Sequence, residues 1–141
     1  MTNHASYFVF VYGSLLSGFQ SDAYGYITQY FNLFGQAKVK GKLFDTGEYP
    51  AAVPVLEDTF IIGELYLVKT EQEFSWAIAQ LDDYEGVVVE KEEHPLYRRE
   101  IVDVFINDAI VPAWIYWYNG DVSGKQEIVP GDMMQYLQQK K

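Results

Sequence analysis

Three short clusters in this 141-residue chain carry residue types able to do chemistry. The first is Asp82, Asp83 and Glu85, three acids at the end of a segment with helical periodicity. Negative side chains at a helix C-terminus face the unfavourable end of its dipole, costing a few tenths of a kcal/mol or more each. They read either as solvated acids of an acidic protein or as one acid turned into a low-dielectric pocket. There its pKa would rise and it could shuttle a proton near neutral pH. Helical phase discriminates among them. Leu81 belongs to the inward stripe, and Tyr84 and Glu85 follow three and four residues later on the same side. Asp82 and Asp83 are expected to point elsewhere, which makes Glu85 the preferred acid/base.

The second cluster is Tyr12-Gly13-Ser14-Leu15, directly after the apolar run from Tyr7 to Tyr12. Glycine lets the backbone turn sharply and a ligand approach closely. Successive N–H groups in such a turn can converge on one carboxylate as an anion nest; an ordinary strand-ending turn is the competing reading. The third is Leu96-Tyr97-Arg98-Arg99-Glu100. Strand alternation places Tyr97 and Arg99 on one face and Arg98 and Glu100 on the other. Either arginine could serve as a surface partner for an acid, and a buried tyrosine needs a polar partner, which a pocket carboxylate would supply.

Other chemistries are poorly supported. There are no cysteines, hence no disulfide, thiolate nucleophile or zinc–thiolate site. His4 and His94 stand in no metal-ligand or triad spacing, and Ser14 and Ser17 are in no G-x-S-x-G elbow. Gly13-x-x-x-x-Gly18 has Walker A spacing, but Phe19 and Gln20 replace the lysine and hydroxyl residue that phosphate and Mg²⁺ require. Gly120 to Lys125 is one residue short. With 20 acidic and 10 basic residues, the chain carries a formal charge of −10. Such a surface disfavours nucleic acid and anionic membranes. Tyr7 to Leu16 is too short to span a bilayer and lacks secretory flanks, so a cytoplasmic location is the default.

The elements that must hold these clusters follow from period. Tyr7 to Tyr12 reads as a buried strand, and Asp22 to Phe34 as a helix that Gly35 ends. Ala37, Val39, Gly41 and Leu43 alternate with Lys38, Lys40 and Lys42, predicting a strand with a solvated lysine face. Tyr49 to Pro54 is confined by its prolines to an edge or loop. Phe60 to Val68 is a strand in which Gly63 marks a bulge or close approach. Thr70 and Glu73 form a capping-box pattern ahead of Phe74, Ala77, Ile78 and Leu81, and Gly86 stops that helix. Leu96 to Ile106 and Ala109 to Tyr118 are strands joined at Asn107-Asp108. A short helix from about Asp132 to Gln139 is expected to end the chain. Strands with inserted helices predict a single α+β domain over residues 1–141, its mainly antiparallel sheet curled or closed to protect its edges.

Phe8 to Leu15 resembles the Y-G-S/T-L signature of the γ-glutamylcyclotransferase-like proteins, including the AIG2-like, γ-glutamylaminecyclotransferase and BtrG-type members. Tyr49-Pro50-Ala51, Gly63-Glu64-Leu65-Tyr66, Leu81 to Gly86, Tyr97-Arg98-Arg99 and Trp114 to Tyr118 match in order, over about residues 7–119. The segment from Asp121 onward has no recognised counterpart. The resemblance implies a small mixed, mainly antiparallel β-barrel with flanking helices, no cofactor and no metal. It implies attack of a substrate's α-amine on its own γ-carbonyl, giving 5-oxoproline and a free amine or amino acid, with Glu85 as general acid/base. The amides of Gly13, Ser14 and Leu15 would bind the substrate carboxylate and Tyr12 would shape the pocket. Tyr97 and Tyr118 would pack on or hydrogen-bond the glutamyl group, and Tyr49 and Arg98 are carried into the same site. A small γ-glutamyl substrate is the expected partner, and a monomer or weak homodimer the expected state. The alternative is an AIG2-like protein binding a small molecule in the same cavity without turnover.

Overall fold

Long runs of alternating apolar residues dominate the chain, and they pair. The computed structural model describes residues 7–12, 22–46, 50–85, 97–129 and 131–132. Strand β1 (Phe8–Val11) is followed by helix α1 (Asp22–Tyr30), β2 (Phe31–Lys40), β3 (Lys42–Asp45), β4 (Pro50–Val53) and β5 (Phe60–Val68). A 3-10 turn (Glu71–Glu73) leads into α2 (Phe74–Glu85), then come β6 (Tyr97–Ile106), β7 (Ala109–Tyr118), β8 (Gln126–Ile128) and β9 (Gly131–Asp132).

The order β1-β7-β6-β2-β5 closes on itself because β1 also pairs with β5. The result is a five-stranded mixed barrel in which β1 and β7 run parallel and the other neighbours antiparallel. Closure leaves those five strands with no free edge along the ring, answering the edge problem that the sequence raises. A second sheet, β4-β3-β8, lies beside it.

Alternation divides the side chains between two cores. Phe10, Tyr12, Val39, Leu65, Val104, Ile115 and Trp117 fill the ring, joined by Leu43, Ala52 and Ile128 from the small sheet. Val9, Val11, Tyr66, Tyr97 and Tyr116 face outward under the helices, against Ile27, Ala77, Ile78 and Leu81. Successive residues of β1 therefore serve both cores, which is why the strand reads as a continuous apolar run. Gly63 is required where β1 crosses β5. A Cβ there would lie 2.1 Å from the Val11 carbonyl oxygen and 2.6 Å from the Phe10 ring.

Several expectations hold at residue level. Strand β5 spans Phe60–Val68 and β7 ends at Tyr118. Strand β4 is an edge strand that begins at Pro50, where the missing N–H costs the ladder least. The β6–β7 turn has Asn107 at φ +54°, a conformation asparagine tolerates better than most residues. Lys38 and Lys40 are exposed, and Lys40 and Lys42 pair with Asp58 and Glu57.

Others are corrected. Helix α1 stops at Tyr30, and Phe31 to Phe34 begin β2. The ladder with β5 claims these β-favouring residues, pairing Phe31 with Val68 and Leu33 with Tyr66, and Gly35 follows a register shift instead of ending a helix. Thr70 makes no side-chain cap hydrogen bond; the Glu73 N–H is accepted by its carbonyl at 3.0 Å, tightening the entry into a 3-10 turn. Asp132 pairs with Ile62 in β9 and does not start a helix; the remainder of that expected helix lies outside the described residues. No helix among the described residues is long and apolar enough to cross a membrane.

Candidate active site

Two element ends bring the sequence clusters to one part of the barrel. Strand β1 runs parallel to β7 with Val9 opposite Trp114, so the end of β1 arrives beside Tyr116. There the buried Tyr12 donates its hydroxyl to the Tyr116 main-chain carbonyl. Gly13, Ser14 and Leu15 follow Tyr12 in the chain and lie outside the described residues, as does Tyr49.

The second end is that of α2. Its inward stripe is Ala77, Ile78 and Leu81, and it continues into Asp82, the buried charged residue among those described. This corrects the expected orientation of Asp82. A helix face buried against a sheet is more than 100° wide, so adjacent Leu81 and Asp82 both fall within it. Register opposes Arg99 on β6 to Tyr116 on β7, and Asp82 sits over that pair. The Arg99 guanidinium donates from Nε to Asp82 Oδ1 at 2.6 Å and from a terminal nitrogen to Oδ2 at 2.9 Å. Tyr116 donates its hydroxyl to Asp82 Oδ1 at 2.9 Å. The guanidinium also stacks over Trp114, 4.3 Å from the ring centroid. Both carboxylate oxygens thus have donors, which is what a mostly buried charge demands. Glu85 is the last residue of α2, one turn beyond Leu81 and Asp82, and its side chain lies outside the described atoms.

Tyr97 and Tyr118 are register partners whose rings meet edge to face at 5.6 Å. The Tyr97 hydroxyl donates to the Pro50 carbonyl at 2.8 Å, joining the barrel to the start of β4. That partner is a backbone carbonyl, whereas Tyr116 donates to the Asp82 carboxylate. Arg98 lies on the opposite face from Tyr97, with Nε on Glu100 at 2.8 Å and a terminal nitrogen on Asn119 Oδ1 at 3.0 Å. The structure therefore gathers Tyr12, Tyr97 and Tyr118 around the ends of β1, β6 and β7, and turns Arg98 to the rim.

The sequence reading missed the Asp82–Arg99–Tyr116 cluster. Its signal was available: Arg99 shares a strand face with Tyr97 and opposes an aromatic strand, so it needs an acid from the element above. Asp121 is unrelated to this site. It is fully exposed, and the Ser123 backbone N–H, then the Ser123 side chain, hold its carboxyl below the ordinary range. Among the described residues, no group of three or more His, Asp or Glu could hold a metal ion. An open groove of about 410 Å³ lies at the other end of β6, lined by Gln36, Lys38, Phe105 and Asp132 among others, and shares no residue with the cluster.

Residues 9–135 match the family described as gamma-glutamyl cyclotransferase, AIG2-like. The match extends past residue 119, and with β8 paired to β3 and Ile128 buried, the segment after Asp121 belongs to the fold. Among solved structures, YkqA from Bacillus subtilis is 26% identical with a TM-score of 0.68, over 95% of this chain and 42% of that one. The chain thus spans less than half the length of YkqA. Protein ytfP from Escherichia coli is also 26% identical, with a TM-score of 0.61 over 95% and 99% of the two chains. An AIG2-like protein from Mus musculus shares the fold at 20% identity and a TM-score of 0.61, over 82% and 79%. No curated protein matches in sequence.

Proposed function

The chain belongs to the gamma-glutamyl cyclotransferase, AIG2-like family, and from that premise we propose that it is a cofactor-independent cyclotransferase acting on a small γ-glutamyl compound. The α-amine of the substrate attacks its own γ-carbonyl carbon. The new C–N bond closes a five-membered lactam, the bond to the departing nitrogen breaks, and 5-oxoproline and a free amine or amino acid result. As the lactam forms, the α-nitrogen gives up two of its three protons. Glu85 relays them to the leaving nitrogen, which departs as an ammonium, so the protein ends each cycle unchanged.

Nucleophile and electrophile belong to one molecule, so the protein needs no nucleophile of its own. It must hold the substrate folded, and proximity of this kind can supply up to about 7–11 kcal/mol. The amides of Gly13, Ser14 and Leu15 would take the substrate carboxylate, and the paired rings of Tyr97 and Tyr118 would flank the glutamyl chain.

One observation carries this reading. Tyr116 ties the two ends together: its carbonyl accepts from Tyr12 and its hydroxyl donates to Asp82. The strand that leads into Gly13 and the helix turn that leads into Glu85 therefore meet at one residue. A carboxylate-binding loop and an acid/base are wanted together by this reaction; a simple binder of carboxylates has no use for the second.

The test is release of 5-oxoproline from a panel of γ-glutamyl amino acids, γ-glutamyl-lysine isopeptide, γ-glutamyl amines and glutathione. Wild type is expected to turn over at least one of them, and Glu85→Gln to lower kcat by about 10²–10⁴-fold. Turnover that survives Glu85→Gln would remove Glu85 from the mechanism. Tight binding of 5-oxoproline without turnover of any panel member would assign the cavity to binding alone.

A further inference from the structure

The two ends of α2 are held by different physics. Its first residue, Phe74, packs edge to face on Tyr7 and Phe31, with ring centroids 5.3 and 6.3 Å apart. Its last turn is held by the Asp82 carboxylate, clamped between the two-pronged Arg99 guanidinium and the Tyr116 hydroxyl. Ring packing is broad in angle and depth. A planar fork on a carboxylate fixes both the rotation and the height of the helix turn that carries it.

The clamp is also an expensive way to obtain stability. A mostly buried ion pair loses much of its Coulombic gain to desolvation, and apolar residues of similar volume often do as well or better. Asp82 moreover stands near the helix C-terminus, against the dipole. What the clamp supplies is a defined position.

We infer that Asp82, Arg99 and Tyr116 are positioning residues: they fix the last turn of α2 so that Glu85 is presented to the end of β1. Glu85 follows Asp82 by three residues, roughly 4.5 Å along the axis at 1.5 Å per residue, so its place is slaved to the clamped carboxylate. Tyr116 gives the other reference point, because its own carbonyl receives the Tyr12 hydroxyl. The inference rests on the cyclotransferase reading given above.

Tyr116→Phe removes one hydroxyl and leaves the carbonyl in place, and Arg99→Lys keeps the charge while removing the fork. Kinetics with whichever γ-glutamyl compound the wild type cleaves are the readout, normalised to folded protein by circular dichroism. The expected result is a fall in kcat of about 10-fold or more for Arg99→Met and Tyr116→Phe, with KM changed less than about twofold, since misplacement strikes the transition state harder than the bound ground state. Arg99→Lys should recover part of the loss. In a Glu85→Gln background, Tyr116→Phe should add almost nothing, because its effect passes through Glu85.

Wild-type turnover that is lost in Glu85→Gln but unchanged in Tyr116→Phe and Arg99→Lys would overturn the inference and leave the function standing. Losses that multiply fully with Glu85→Gln would also overturn it, making the cluster merely structural. Absence of wild-type turnover on the whole panel would overturn the function, and this inference with it. Should Arg99→Met fail to fold, Tyr116→Phe still decides.

Discussion

The two faces of β7 are built on opposite principles. Ala113, Ile115 and Trp117 point into the ring, where the contacts are apolar and the Trp117 indole N–H is buried with no hydrogen-bond partner among the described residues. Trp114, Tyr116 and Tyr118 point outward, and there each ring meets a partner of specific geometry: a guanidinium, a carboxylate, another tyrosine. A single unmet donor costs about 1–3 kcal/mol, so the interior accepts a polar loss in exchange for filled volume. The outer face spends its polar atoms on direction. The barrel is held together by burial from inside, and its directional contacts lie on the outside.

Breaking the interior should therefore be the more damaging change. Gly63→Val introduces atoms where even a Cβ would stand 2.1 Å from the Val11 carbonyl oxygen and 2.6 Å from the Phe10 ring. Neither β1 nor the ring can withdraw without opening the β1–β5 seam that closes the barrel. The expected loss exceeds about 3 kcal/mol, at or beyond the upper range for overpacking. A thermal melt followed by circular dichroism should show it as a fall of more than about 10 °C or as failure to fold. A midpoint within a few degrees of wild type would contradict the described crossing.

A pair of substitutions sharpens the contrast. Leu43→Ala empties fully buried space in the inner core and should cost about 2–5 kcal/mol, measured by urea unfolding, with kcat per folded molecule unchanged. Tyr116→Phe removes a hydrogen bond to a charged group and should cost about 1.5–3 kcal/mol, at or below the Leu43→Ala loss, yet carry the larger loss of turnover. The opposite ranking would mean that the two faces are not divided between stability and geometry.

What the sequence made legible follows the same division. Alternation located β5 and β7 because each strand sends one side chain to each core, and period two records that directly. Gly63 was readable because only close backbone approach requires a missing Cβ inside such a strand. Phe31 to Phe34 misled because four residues with two aromatics continue either a helical stripe or a strand, and the choice was made by pairing with Val68 and Tyr66 far along the chain. Asp82 misled for a related reason. Helical phase gives an arc, and whether an acid on that arc is buried depends on donors 17 and 34 residues away. The family match, in contrast, was legible because Tyr12-Gly13-Ser14-Leu15 and Leu81 to Gly86 are local strings that survive without knowledge of their partners.

The smallest effect belongs to the solvated rim, and it bounds the comparison. Lys40 pairs with Asp58 at 3.3 Å, but the two side chains are 43% and 85% exposed. Water screens such a pair and both side chains surrender rotamer freedom to form it, so its worth is about 0–1 kcal/mol. Lys40→Met also makes the net charge more negative, from −10 to −11, taking one from the 10 basic residues, and the added self-repulsion acts in the same destabilising direction. Both contributions shrink as the Debye length falls from about 8 Å at physiological ionic strength toward 3 Å at about 1 M salt. Unfolding midpoints of wild type and Lys40→Met should therefore differ by no more than about 2 °C in low salt and converge at high salt. A larger difference that persists in high salt would place this exposed pair in the same class as Asp82 and Arg99, and directional polar contacts would then stabilise the outside of the barrel generally, not only beneath α2.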